Sequence, residues 1–217
     1  MCAALQLNTC STDSWRRLRE QLMNSFTHAM KEDMLDSDIV DMLAAINSVP
    51  CIATSSSCSG RIAVFSAPSP GDKRQGGIVY KWHRPVDPAE LREAILNARN
   101  TGHRYVWASA QPPILALHTC SLRLADMIAD IAINSGYKYT GYNYTSRSYY
   151  MFIIGSERID IPLVFEGRTI VDLDYNLLAN LLNSYLLLGK RKLNRLRRAF
   201  SSMLDLLRKG CEEATLV

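Results

Sequence analysis

Thr54-Ser55-Ser56-Ser57-Cys58-Ser59-Gly60-Arg61 is the stretch around which this chain organises. It stands between two β-like runs, Cys51 to Thr54 and Arg61 to Ser66, and its small side chains let successive backbone N–H groups approach an anion or ligand. Gly60 is free to take a positive φ, and Arg61 offers a bidentate fork for a carboxylate or phosphate. Two other readings stand beside this ligand-cradling loop. One is a plain polar hairpin turn, which serine and glycine favour through local hydrogen bonds. The other is a nucleophilic Cys58, which needs a base held near it.

Working outward, two helical patterns precede the stretch. Trp15, Leu18, Leu22 and Phe26 recur at helical spacing, and Ile39, Val40, Leu43 and Ile46 do so behind an Asp36/Ser37 cap, the second helix stopping by Pro50. After the stretch, Pro68 to Gly77 forms a surface loop before a strand at Ile78 to Trp82. Asp87-Pro88-Ala89-Glu90 sets a cap, a proline and a capping-box glutamate in order, which starts a helix to about Arg99. Strands at Tyr105 to Ser109 and Ile114 to Thr119 lead to a helix from Ser121, which Gly136 ends in a left-handed cap. Lys138 to Val171 reads as three or four strands, and the remainder reverts to helix from about Asp174 to Lys209. Strands cluster as hairpins more than as β-helix-β crossovers, so the expected fold is α+β, a mixed β-sheet flanked by helices. No G-x-G occurs anywhere, which argues against a dinucleotide-type (Rossmann) fold.

With 217 residues and 47% hydrophobic content, the chain suffices for one buried core, so a single domain spanning residues 1–217 is expected. No apolar run reaches the ~20 residues that cross a bilayer, and no basic flank with an apolar stretch opens the chain, so neither membrane insertion nor secretion is expected. The six cysteines, at 2, 10, 51, 58, 120 and 211, include no C-x-x-C pair and no histidine at ligand spacing. No metal site is expected from them, and free thiols in a reducing cytoplasm are the preferred reading. Charge is local: from Leu186 onward eight Lys/Arg face three acidic residues, and six of the nine residues from Lys190 to Arg198 are cationic. Leu193, Leu196, Phe200, Met203 and Leu207 form an apolar stripe on this helix, and Arg191, Lys192, Arg195 and Arg198 project from its other face. Such a face suits a phosphate track for RNA, its plain alternative being a solvated surface.

The Thr-Ser-Ser-Ser-Cys-Ser-Gly-Arg run resembles the signature of the tRNA wybutosine-synthesising protein 3 family. Further segments match in the same order: Lys81-Trp82-His83, Trp107 followed by Pro113-Ile114-Leu115 and His118, Ser135-Gly136 with Gly141, Ser156-Glu157-Arg158 with Pro162, and a closing Ala179-Asn180 helix rich in Lys/Arg. Lys-Trp-His looks like the archaeal form of the second motif, and the resemblance spans roughly Asp33 to Arg198. It departs at Thr54, where many members carry serine, and at Ala116. It implies S-adenosylmethionine-dependent methylation of N4 of the tricyclic base next to the anticodon of tRNA-Phe, in a fold outside the dinucleotide type.

Methyl transfer from a sulfonium needs positioning more than covalent help, since alignment alone can supply ~7–11 kcal/mol. The acceptor nitrogen carries a proton, which a near-neutral base would remove; His83 and His118, inside family-like motifs at strand ends, are the candidates. The cofactor-binding candidates are Thr54, Ser56, Ser57, Cys58, Ser59, Gly60 and Arg61, with Trp82 and Trp107 as stacking surfaces for a purine. Lys81, Lys190, Arg191, Lys192, Arg195 and Arg198 are the RNA-binding candidates. The rival functional readings are a non-catalytic RNA-binding module using the serine-rich loop and basic helix, and a cysteine hydrolase built on Cys58.

Overall fold

A computed structural model describes residues 9–70, 72 and 74–215. Among these residues the chain forms five helices and nine strands: α1 (Asp13–Lys31), α2 (Val40–Asn47), β1 (Ile52–Cys58), β2 (Arg61–Ala67), β3 (Gly77–Trp82), α3 (Pro88–Arg99), β4 (Tyr105–Gln111), β5 (Ile114–Thr119), α4 (Leu122–Asn134), β6 (Tyr139–Tyr144), β7 (Tyr149–Ile154), β8 (Ile159–Phe165), β9 (Arg168–Thr169) and α5 (Tyr175–Thr215). Contacts divide the chain into two compact units. The first holds the described residues up to Ser59, Ile114–Gly155 and those from Lys192 onward; the second holds Gly60–Pro113 and Ser156–Arg191.

The first unit contains a four-stranded sheet in the order β1-β5-β7-β6, every pair antiparallel. Its core gathers Leu117, Leu124, Ile128 and Phe200, none more than 1% exposed, together with Trp15 and Leu18 from α1. Leu193, Leu196, Phe200 and Leu207 of α5 enter this core at helical spacing, so the expected apolar stripe is the buried one. Truncating Phe200 to alanine there costs about 3–5 kcal/mol by the general scale for buried aromatics.

The second unit contains a five-stranded sheet in the order β3-β2-β4-β8-β9, again antiparallel throughout. Ile62, Val64, Val106, Ala108 and Leu163 alternate onto one face and pack with Leu91 and Ile95 of α3 and Leu182 and Leu186 of α5. Asp87 and Glu90 form the expected capping box, with Pro88 opening α3.

The α+β, non-Rossmann architecture matches the sequence reading, but two antiparallel sheets replace the expected mixed one. The chain changes sheets at Ser59-Gly60, at Pro112-Pro113 and at Gly155, so β1 and β2 are not a hairpin although they adjoin in sequence. The hairpin alternative for the serine stretch is thereby corrected: its residues to Cys58 are strand, and each flanking strand pairs with distant partners.

The free-thiol expectation is also corrected. Cys10 and Cys120 form one disulfide, with Cα atoms 4.7 Å apart, and Cys51 and Cys211 form another, with Cα atoms 5.5 Å apart. Pairings between cysteines 110 and 160 residues apart leave no local spacing signal in a sequence. Cys58 takes part in neither disulfide, and Cys2 lies outside the described residues.

Candidate functional site

In the first unit, β1 carries the serine run as extended backbone with an irregularity against β5 between Thr54 and Ser57. Asn47, at the last turn of α2, accepts the Thr54 N–H on Oδ1 and donates from Nδ2 to Thr54 Oγ1, both at 2.8 Å. Thr54 is 3% exposed, and this pair of bonds anchors the strand from within. Ser59 is fully buried and donates its N–H to Asp36 Oδ2 at 2.7 Å. Asp36 therefore fixes the end of the serine run; the cap expected from it on α2 is absent, since Ile39 occupies that position without a side-chain hydrogen bond.

Between these anchors the serines differ in exposure. Ser56 is exposed. The Oγ atoms of Ser55 and Ser57 are buried and have no hydrogen-bond partner among the described residues. Both serines, with Thr54 and Ser56, line an open cavity of about 350 Å³ against Leu22, Ser25, Phe26 and Ala29 of α1. Buried hydroxyls are ordinarily satisfied, and leaving one unmade costs about 1–3 kcal/mol, so two of them beside one cavity make it a candidate place for a polar ligand or ordered water. Ser55 had no distinguishing signal in the sequence among its neighbours.

His118, on β5, pairs in register with Ala53 on one side and Tyr150 on the other, one position from Thr54 opposite Leu117. Its Nδ1 shares a hydrogen bond of 2.9 Å with Ser148 Oγ, and its ring lies 5.0 Å from that of Tyr150. Burial, with the nearby Arg147 charge, pushes the imidazole pKa below the ordinary value, so the ring is neutral at pH 7 and able to accept a proton. The shift also has a stability sign. A folded-state pKa below the unfolded one contributes stability that is complete above about pH 6.5 and lost as pH falls through the folded value. NMR titration is expected to place His118 below 6.5, and His118→Asn is expected to lose less stability than the wild type on acidification across that window. A titration at or above 6.5 would contradict the burial argument.

The remaining candidates lie in the second unit or on α5. Arg61 donates Nε–H to Gln111 Oε1 at 2.7 Å, which fixes its guanidinium across the β2–β4 pair. His83 is half-buried directly after β3, and Lys81 is exposed on that strand. Trp82 lies near-parallel to Tyr80, centroids 6.1 Å apart, and packs against the second core, so its ring serves packing. Trp107 stacks on Phe65 at 5.0 Å with the rings 1° from parallel. Of the basic residues, Arg191, Arg195 and Arg198 are exposed, whereas Lys190 is half-buried. Lys192 sits with Nζ 5.2 Å from the centre of the Tyr137 ring, and a methyl group placed on Gly136 would meet its Cε at 3.2 Å. Lys192, half-buried, thus covers the C-terminal turn of α4, where a cation meets the negative end of the helix dipole.

Two antiparallel sheets, no glycine-rich strand-to-helix turn and a serine run with unsatisfied hydroxyls place the chain outside the dinucleotide-type transferases. Similarity then sets the family. The model for the family described as Methyltransferase TYW3 matches residues 14–202, and the chain belongs to that family. A tRNA(Phe) 7-((3-amino-3-carboxypropyl)-4-demethylwyosine(37)-N(4))-methyltransferase 2 of Pyrococcus furiosus is 39% identical over 186 residues, covering 85% of this chain and 88% of the relative. A methyltransferase of the same description, without the final numeral, from Archaeoglobus fulgidus is 33% identical, covering 87% and 94%. Among solved structures, the PH1069 protein from Pyrococcus horikoshii OT3 superposes with a TM-score of 0.77 at 29% identity, covering 94% of this chain and 98% of that one.

Proposed function

We propose that this protein methylates N4 of the tricyclic wyosine-type base beside the anticodon of tRNA-Phe, with S-adenosylmethionine as donor. Family membership and relatives named for that reaction support the activity. The observation that carries the donor site is the pair of buried, unpartnered hydroxyls of Ser55 and Ser57 on the α1–β1 cavity. A volume of about 350 Å³ falls within the range of small-molecule sites, about 300–1,000 Å³. Ser55 and Ser57 would hold the donor's polar groups, and the donor supplies an electrophilic methyl carbon on sulfur. Asn47 and Asp36 keep that serine run in place through Thr54 and Ser59. His118, neutral and oriented by Ser148, is the acceptor for the proton that N4 loses, and His83 is held as the second candidate for that role. Ser56, Cys58, Gly60, Arg61 and Trp82 stay as further candidates for donor contact, Gly60 through its backbone. A metal has no assigned part in this scheme.

Arg191, Arg195 and Arg198 are proposed to follow tRNA phosphates, with Lys81 and Lys190 as additional contacts. Among the described residues no helix is long and apolar enough to cross a membrane; a cytoplasmic location is part of this proposal, in keeping with a tRNA substrate. Residues 1–217 are taken to act together as one tRNA methyltransferase domain, since α5 runs through both units.

Incubation with tRNA carrying the demethylated precursor and labelled donor, followed by nucleoside analysis, is expected to place one label on the tricyclic base. Ser55→Ala/Ser57→Ala is expected to weaken donor binding by calorimetry while leaving tRNA binding intact. No label on the base ends the activity; unchanged donor affinity in the double variant ends the site. Arg191→Glu/Arg198→Glu is expected to weaken tRNA binding and flatten its salt dependence with donor affinity unchanged. An unaltered salt slope would remove those arginines from the RNA contact.

A further inference from the structure

The second sheet has a face that the donor site does not use. Ile62, Val64, Val106 and Ala108 point into the core, so alternation sends Phe65, Tyr105 and Trp107 to the opposite side. There Trp107 is the direct cross-strand partner of both Phe65 and Pro162, which makes an apolar row across β2, β4 and β8. Two residues along β4, Tyr105 meets Phe165 edge-to-face at 5.3 Å, and Phe165 is 53% exposed. Tyr105, Trp107, Pro162, Phe165, Pro70 and Asp160 line an open pocket of about 270 Å³. Burial is the largest single influence and works to raise the Asp160 pKa, but hydrogen bonding to Arg158 and Ser109 together with the Arg158 charge holds the carboxylate below its usual range, ionised at neutral pH.

We infer that this pocket stacks an unpaired base of the substrate tRNA, with Asp160 accepting hydrogen bonds from the base's amino or imino edge and neighbouring arginines taking the phosphates. The inference rests on the tRNA reading above. Three features favour an RNA base as occupant. Its aromatic groups are partly exposed, as sequence-tolerant stacking on single-stranded loops requires. Its volume lies below that of sites which engulf a whole drug-sized ligand, so it suits a base more than the complete donor. Its surroundings carry exposed arginines suited to a phosphate backbone: Arg168 opposite Phe165 in register, Arg104 beside Tyr105 in a loose 3.9 Å pair with Glu166, and Arg158, whose pair with Asp160 leaves the guanidinium exposed.

The test measures affinity for a fluorescent anticodon stem-loop RNA in the wild type, Phe165→Ala and Trp107→Phe, each across a salt series, with donor affinity measured in parallel. Phe165 is exposed, so its removal leaves the core intact, and Trp107→Phe keeps an aromatic ring on Phe65. Phe165→Ala is expected to weaken RNA binding about five- to a hundred-fold with the salt slope unchanged, because stacking and not charge is lost. Trp107→Phe is expected to weaken it less, and donor affinity should hold in both. RNA affinity within two-fold of wild type in Phe165→Ala overturns the inference, as does a fall in donor affinity with RNA affinity retained, which would give the pocket to the donor's adenine. Failure of the wild type to methylate the tricyclic base, with RNA affinity still dependent on Phe165, overturns the activity and leaves this inference standing. A wild type that does not bind the RNA overturns both.

Discussion

Gly60→Ala is expected to destabilise the protein by about 2–4 kcal/mol and to abolish most of the methyl transfer. Gly60 has φ +92°, a region that side-chain-bearing residues rarely adopt, and this alone costs about 1–3 kcal/mol in a non-glycine residue. Space is also lacking: a methyl group there would lie 3.1 Å from the Gln111 carbonyl oxygen and 3.3 Å from the Pro113 ring. Neither neighbour is the free end of a flexible chain, so the backbone at β2 must yield. Arg61 and its bond to Gln111 start at the next residue, which is why activity should fall further than stability alone predicts.

Two other glycines separate the causes. Gly102 shares the left-handed region, φ +77°, but an added methyl would meet nothing within 4 Å; Gly77 has the open space without the positive φ. Gly77→Ala should be near neutral, Gly102→Ala should lose about 1 kcal/mol or a little more, and Gly60→Ala should exceed both. With roughly 2–4 °C per kcal/mol for a chain of this size, thermal melts resolve the series. Equal melting temperatures for Gly60→Ala and Gly102→Ala would mean that the close approach to Gln111 and Pro113 contributes nothing.

The same residue shows what a sequence carries. That Gly60 could take a positive φ was legible from its type, as were the α3 capping box and the glycine that ends α4, because each is set by chemistry within a few residues. The α5 stripe was legible for the same reason: period 3.6 is a local property. What Gly60 abuts was not legible, because β2 meets β4 across 50 residues, and whether adjoining runs pair with each other or with distant strands depends on that long-range choice. The site divides along this line. The serine run announced itself, but which of its hydroxyls end up buried without a partner depends on α1, a distant element that forms the other wall of the cavity. Asp36 looked like a helix cap, since a carboxylate beside a helix start ordinarily is one; the nearby Ser59 amide took it instead. Lys192 and Arg191 are adjacent and alike in sequence, and only the position of Tyr137 and Gly136 separates a structural cation from a surface one.

Long-range pairing is also the basis of the second large effect, on reduction of the two disulfides. Cys10, Cys51, Cys120 and Cys211 are at most 7% exposed, and the sulfurs of the first three lie within 4.8 Å of one another. The bridges tie the segment before α1 to the end of β5, and the start of β1 to the last turns of α5. Chain-entropy arguments give about 4–5 kcal/mol for closing a loop of this length, though the two loops overlap and their contributions do not simply add. Cys51→Ser/Cys211→Ser is therefore expected to lose about 3–5 kcal/mol and to melt roughly 10 °C lower. The loss should be regional. All four cysteines belong to the first unit, so hydrogen exchange is expected to accelerate in β1, β5, α4 and the end of α5, with β2, β4 and β8 of the second unit keeping their protection. Alkylation of the denatured protein without reductant should leave these four cysteines unmodified and label Cys58. Alkylation of all four would show that the bridges do not form in the isolated protein, and uniform loss of protection across both sheets would show that their effect is not confined to the unit that contains them.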